Sequence, residues 1–264
     1  MSNEAVKIFK FNTFEEFWNR VSPLGDIGKY LKGFIYRGES SNSYNLLPKV
    51  LREKKYTDKP SLVYKEIESI IEFCIEANKQ GLKVPNYKLL SGRSPEEIIG
   101  SCKYYWISNE FEETAALAQH YGLPTRLLDW TKDIFTSFYF ASIGVLKKKE
   151  IKTNECLTIY ALNFAYLDMQ IKDWRKHEGS TNYIPIPIKF ILPPYFDNAN
   201  SKAQNGILSY SEIEIVMYNQ KSWAIDFEPL DKKLQNLTEN KDNFYYFSNS
   251  ETLLYKFESQ QKKQ

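Results

Sequence analysis

The sequence predicts an α+β fold in which N-terminal helices pack on a mixed or antiparallel sheet formed mostly by the C-terminal half. Three observations carry this. Apolar residues recur at helical spacing early on, at Ile67, Ile70, Ile71 and Cys74 and again through Phe111–Gln119. Later the apolar runs become short and strand-like: Leu157–Leu162, Ile184–Ile191, Ile213–Tyr218 and Phe244–Phe247. The chain of 264 residues, 42% hydrophobic and 16% aromatic, is also long and apolar enough to bury a sizeable core.

Taken in order, residues 7–20 open extended and turn at Asn12–Glu15, where Thr13 can cap a helix that buries Phe17 and Val21. Gly33–Tyr36 reads as a strand that stops on Arg37 and Gly38, and Leu46–Arg52 as a helical turn begun at Pro48. Residues 53–60 are charged and loop-like, and Tyr64–Ile75 is an amphipathic helix. Asn78–Glu97 carries Gly81, Pro85, Gly92 and Pro95, so a long loop with one helical turn is expected, a lid or an insertion. The Phe111–Gln119 helix should end at Gly122, with Pro124 just beyond. Asp129 or Thr131 is then placed to cap a helix over Ile134–Val145 with Phe135, Phe138, Tyr139, Ala141 and Ile143 on its core face. A single domain over residues 1–257 and a frayed tail over 258–264 complete the expectation.

Bulk properties exclude several classes. A net charge of +2, from 35 basic and 33 acidic residues, gives no general drive toward nucleic acid or membrane. No apolar run nears the roughly 18 residues of a membrane span, and Met1–Ala5 lacks the layout of a secretory signal. A cytoplasmic protein without membrane partners is expected. Cys74, Cys102 and Cys156 form no C-x-x-C pair and read as structural thiols, and neither His120 nor His177 has a neighbour at metal-ligand spacing, so no metal is expected. The absence of G-x-x-x-x-G-K-[ST], G-x-G-x-x-G and G-x-S-x-G argues against P-loop, Rossmann and serine-hydrolase chemistry.

Polar density is greatest at Gln119–Thr131, a turn between two apolar helical runs. Arg37, delivered by a buried strand, can aim several donors at an anionic or polyhydroxyl ligand or lie in a buried pair with a carboxylate, and Gly38 lets a backbone approach. His120 can act as a general base or cap helix carbonyls, and Tyr121 can stack or donate. Arg126, Asp129 and Thr131 form either a ligand-binding cluster or a network that fixes the loop. Late in the chain Gln204 and Gly206 precede Glu212 and Glu214, two carboxylates on one face of a candidate strand, aimed inward at a ribose or outward at solvent.

Phe34–Gly38, Leu47–Arg52, the Glu66–Cys74 helix, the Ala118–Thr131 block and Ser137–Ala141 together resemble the FRG domain family. The likeness covers residues 34–142, with Gln204-Asn-Gly206 as a weaker echo. Tyr36 stands where the family name implies Phe, and the last part lacks a Phe-Pro-Asp-Leu-like ending. The resemblance implies a bacterial or phage toxin or defence effector, with a neutralising antitoxin as a possible partner. A more distant similarity to ADP-ribosyltransferases implies NAD as substrate. Arg37 would then orient its phosphate or ribose, Tyr121 or Tyr139 would stack on nicotinamide, Glu214 would bond a ribose hydroxyl, and a protein, nucleic acid or water would be the acceptor. Two alternatives stay open: a module that binds a nucleotide or RNA end without turnover, and RNA cleavage with His120 as base and Arg37 or Arg126 on the phosphate.

Overall fold

Among the described residues, seven strands form one mixed sheet in the order β1-β7-β4-β2-β3-β6-β5. The structure is a computed structural model, and it describes residues 5–52, 59–101, 109–150, 155–176, 188–192, 206–211, 228–239 and 252–260. The strands are β1 (Val6–Phe11), β2 (Ile35–Glu39), β3 (Leu128–Thr131), β4 (Cys156–Leu162), β5 (Lys189–Ile191), β6 (Gly206–Tyr210) and β7 (Leu254–Gln260). Only β1 and β7 pair in parallel; the other neighbours are antiparallel. The expected α+β class with a mixed sheet is therefore what forms.

Strand alternation sorts the core. Ile35, Leu128, Trp130, Leu162 and Ile207 point to one face and are buried with Leu167 and Ile171 of α8 (Phe164–Lys176) and Leu230 and Leu234 of α9 (Leu230–Glu239). The alternate residues meet two separate cores. Tyr36, Ile159 and Ala161 pack with Phe17 and Val21 of α1 (Phe14–Val21) and with Ile134, Phe138 and Ala141 of α7 (Ile134–Leu146). Leu208 and Tyr210 pack with α3 (Lys59–Lys79) and α6 (Glu112–His120), which follow the short α2 (Lys49–Arg52), α4 (Tyr87–Leu90) and α5 (Pro95–Ser101). Two cores side by side on one face leave a cleft where they meet.

Local chemistry sets the helix ends. Thr13 Oγ1 accepts from Glu16 N–H at 3.1 Å, as its position before α1 predicts. α6 closes in a Schellman motif: Leu123 N–H donates to Ala118 O at 3.0 Å, Gly122 N–H donates to Gln119 O at 2.8 Å, and Gly122 takes φ +97°. α7 is capped by Asp133, whose Oδ1 accepts from Phe135 N–H at 3.1 Å and Oδ2 from Thr136 N–H at 3.0 Å. Asp133→Ala is expected to cost about 1–2 kcal/mol, read as a lowered urea midpoint; an unchanged midpoint would remove the cap from the account.

Several expectations are corrected. β2 forms where expected and runs one residue past the Arg37-Gly38 stop, to Glu39, while Asp129 and Thr131 belong to strand β3, not to a helix cap. The stretch expected as a long loop, a lid or an insertion, holds α4 and α5, whose Leu90 and Ile98 are fully buried in the core with α3, which rules against a lid. On α7 the buried positions are Ile134, Ser137, Phe138 and Ala141, while Phe135 and Tyr139 are 55% and 63% exposed. β7 extends through Gln260, so Glu258 and Ser259, expected in the tail, are buried sheet residues. Ile184–Pro187, Ile213–Tyr218 and Phe244–Phe247 lie outside the described residues.

Candidate functional site

The cleft between the two cores holds a cavity of about 400 Å³, within the range of roughly 300–1,000 Å³ common for small-molecule sites. Its floor is β2, β3 and β6, and its walls are α6 and α7. The walls follow helical spacing: Ala116 and His120 from α6, Thr136 and Phe140 from α7, each pair four residues apart.

The floor owes its shape to an interrupted seam. β2 pairs with β4 at five positions, but with β3 only at Tyr36–Thr131. A continued register would set Gly38 against Asp129; instead, Arg37 Nη1 donates to the Asp129 carbonyl at 3.0 Å. Alternation alone would turn Arg37 away from Tyr36 and Gly38, yet at this seam its guanidinium bonds across to β3 and the residue lines the cavity. Gly38 is required for a different contact from the one its sequence context suggests: a Cβ there would fall 1.9 Å from the Ser137 carbonyl oxygen, so the backbone it admits is that of α7.

Arg37 is held by carboxylates on both sides. Its Nε donates to Glu39 Oε1 at 2.9 Å, its Nη2 lies 2.8 Å from the same oxygen, and its Nη1 lies 3.7 Å from Asp129 Oδ2. Burial works against its charge, but Glu39 and Asp129 outweigh burial and its pKa is raised. Arg52 Nη2 adds a second cation 3.5 Å from Glu39. The cluster of Arg37 and Arg52 with Glu39 and Asp129 is therefore balanced in charge. Beside it, burial first and Asp133 second push the Tyr36 phenol up to about 12, so it stays a neutral donor, bonded to Leu31 O at 3.2 Å.

A second chain of bonds arrives from α6. Gln119 Nε2 donates to Asp129 Oδ1 at 2.6 Å, and Gln119 Oε1 accepts from the Thr125 hydroxyl. Thr125 Oγ1 in turn accepts from Leu127 N–H at 3.2 Å.

Of the residues singled out from the sequence, Arg37, Gly38, His120, Asp129 and Thr131 meet in this cavity. Others do not. Tyr121 is 57% exposed and packs beside Phe73, and Tyr139 projects outward; Phe140 supplies the cavity's aromatic surface from α7 instead. Arg126 is buried, with Nε and Nη2 on Glu66 Oε2 at 2.8 and 2.6 Å, and its backbone N–H on Glu66 Oε1 at 2.8 Å. It cannot reach a ligand phosphate, and it fixes the loop to α3. Gln204, Glu212 and Glu214 lie outside the described residues, while Gly206, two positions after Gln204, lines the floor. Gln119 and Thr125, inside the polar block, and Glu39, just past Gly38, carry no role in the sequence reading, and a signal exists for two of them: Gln119 falls on the same helical face as Ala116, and Glu39 lies two residues from Arg37 on one strand face.

Burial raises the thiol of Cys74 to about 11 and also raises that of Cys156, so neither is an activated nucleophile. Among the described residues no group of three or more His, Cys, Asp or Glu side chains could hold a metal ion, and no helix is long and apolar enough to cross a membrane. The family model described as FRG domain matches residues 32–150, a stretch that runs from just before β2 to just past α7. No curated protein and no solved structure matches the chain.

Proposed function

Given that the chain carries an FRG domain over residues 32–150, we propose that the cleft between α6 and α7 binds a ribonucleotide and that NAD is its substrate in an ADP-ribosyl transfer. The observation that carries this reading is the convergence of Arg37, His120, Asp129 and Thr131, from three separate elements, on one cavity of about 400 Å³. The balanced charges around Arg37 suit ribose hydroxyls and a carboxamide better than a bare phosphate, which would need surplus cations.

In such a reaction the bond from ribose C1′ to the nicotinamide nitrogen breaks and its electron pair leaves with nicotinamide. The acceptor's oxygen or nitrogen then bonds to C1′ and gives up its proton to His120, which lines the cavity from the last turn of α6. Asp129 supplies negative charge beside the sugar as it becomes cationic, an interaction strongest in the transition state. Protein, nucleic acid and water all remain acceptors in this reading. A toxin or defence effector held in check by a neutralising partner is the setting it fits.

A second reading, binding without turnover, is favoured by the ties on Arg37. Nε, Nη1 and Nη2 each already engage Glu39 or Asp129. Incubating the folded chain with NAD and assaying free nicotinamide, alongside calorimetric titration with NAD, separates the two. Release of nicotinamide that stops in Asp129→Asn supports transfer, and saturable binding without release supports the binding module. With neither, the ribonucleotide reading falls.

A further inference from the structure

The side chain of Asp129 is oriented by a relay of bonds whose direction admits one arrangement. Leu127 N–H donates to Thr125 Oγ1 at 3.2 Å, which leaves the Thr125 proton for Gln119 Oε1. With its oxygen so engaged, Gln119 must present its amide N–H to Asp129 Oδ1, 2.6 Å away. A carboxylate only accepts, so every bond in the chain has a donor facing an acceptor. Thr125 is buried and Gln119 half-buried, while Asp129 is exposed to the cavity. The second oxygen, Oδ2, lies 3.7 Å from Arg37 Nη1, beyond hydrogen-bonding distance, so Asp129, which lines the cavity, keeps acceptor capacity.

We propose that Thr125 and Gln119 are positioning residues that hold Asp129 as a fixed acceptor for a donor pair on the ligand, and that the pair is the vicinal diol of a ribose. The inference rests on the ribonucleotide reading and goes beyond it by naming the group that is recognised and the residues that select for it. A deoxyribose, lacking one hydroxyl, leaves an oriented acceptor without its donor, and a site built around a substrate hydroxyl discriminates strongly against the analogue that lacks it.

The experiment is calorimetric titration of the full chain with NAD and with its analogue carrying a 2′-deoxyribose on the nicotinamide side, for wild type, Thr125→Val, Thr125→Ser and Gln119→Glu. A melting curve for each variant serves as a folding control. Wild type is expected to prefer NAD by about tenfold or more. Thr125→Val, which keeps the shape and removes the donor, should bring the two affinities together, and Thr125→Ser should restore the preference. Gln119→Glu, a second route that needs no change in the buried hydroxyl, should weaken NAD by setting a carboxylate against Asp129. Equal affinities in wild type, or full discrimination in a folded Thr125→Val, overturn the inference and leave the ribonucleotide reading standing. Failure of folded wild type to bind either probe overturns both.

Discussion

Glu66→Ala is expected to destabilise the protein by about 3–5 kcal/mol, the range for breaking a buried ion pair from one side. Glu66 and Arg126 have side chains 0% and 3% exposed, and three bonds join them across a sequence separation of 60. Removing the carboxylate takes three hydrogen bonds at once from a buried guanidinium and a buried backbone N–H. Against a typical total stability of about 5–15 kcal/mol, such a loss should show as a large fall in the urea midpoint. Replacing the pair together, Glu66→Leu with Arg126→Met, should cost less, because it also removes the buried charge that lost its counter-ion, while the Arg126 backbone N–H still loses its acceptor. If Glu66→Ala melts with wild type, the clamp between the motif loop and α3 has no energetic meaning.

Arg37→Ala should lower NAD turnover by about a hundredfold or more, the scale seen when one preorganised donor is removed from a reaction centre. The same change leaves buried Glu39 with Arg52 at 3.5 Å as its remaining described cation, so a loss of about 1–3 kcal/mol in stability should accompany it. Arg37→Lys separates the two effects. The ammonium keeps a charge beside Glu39 but cannot span Glu39 and the Asp129 carbonyl with one rigid fork, so stability should recover more than activity does. Nicotinamide release and thermal melting, measured on both variants, decide the matter. Full turnover in Arg37→Ala would take this residue out of the chemistry.

What could be read from the sequence was mostly local. Gly122 and Pro124 announce the end of α6, Thr13 announces the start of α1, and both do what their chemistry predicts. The Ser94-Pro95-Glu96-Glu97 start of α5 was equally legible, since Ser94 and Glu97 exchange hydrogen bonds with each other's backbone N–H, but the prolines and glycines around it favoured a loop. α7 misled for another reason: Ile134–Leu146 is apolar nearly all round, so hydrophobicity could not choose which side faces the core, and Tyr139 was chosen where Phe140 lines the cavity. Charge disguised β7, whose Lys256 and Glu258 pair at 2.9 Å instead of facing water. The gathering of Arg37, His120, Asp129 and Thr131 was foreseeable from the two dense motifs. That Arg126 fixes the loop was one of the two readings of its cluster, but its partner was not legible, because Glu66 sits on a distant helix. A carboxylate at position 66, beside the buried Val63, Ile67 and Ile70 of α3, was the one hint that a cation had to come from elsewhere.

The interrupted seam between β2 and β3 bears on how far the motif region can be made portable. Within residues 32–150 those two strands touch at a single register position, and their firm neighbours, β4 and β6, are encoded downstream. An excised piece with those limits would carry most of the polar residues of the cleft while lacking the scaffolding that keeps its halves at the right spacing. Anyone transplanting the pocket must take the later strands with it.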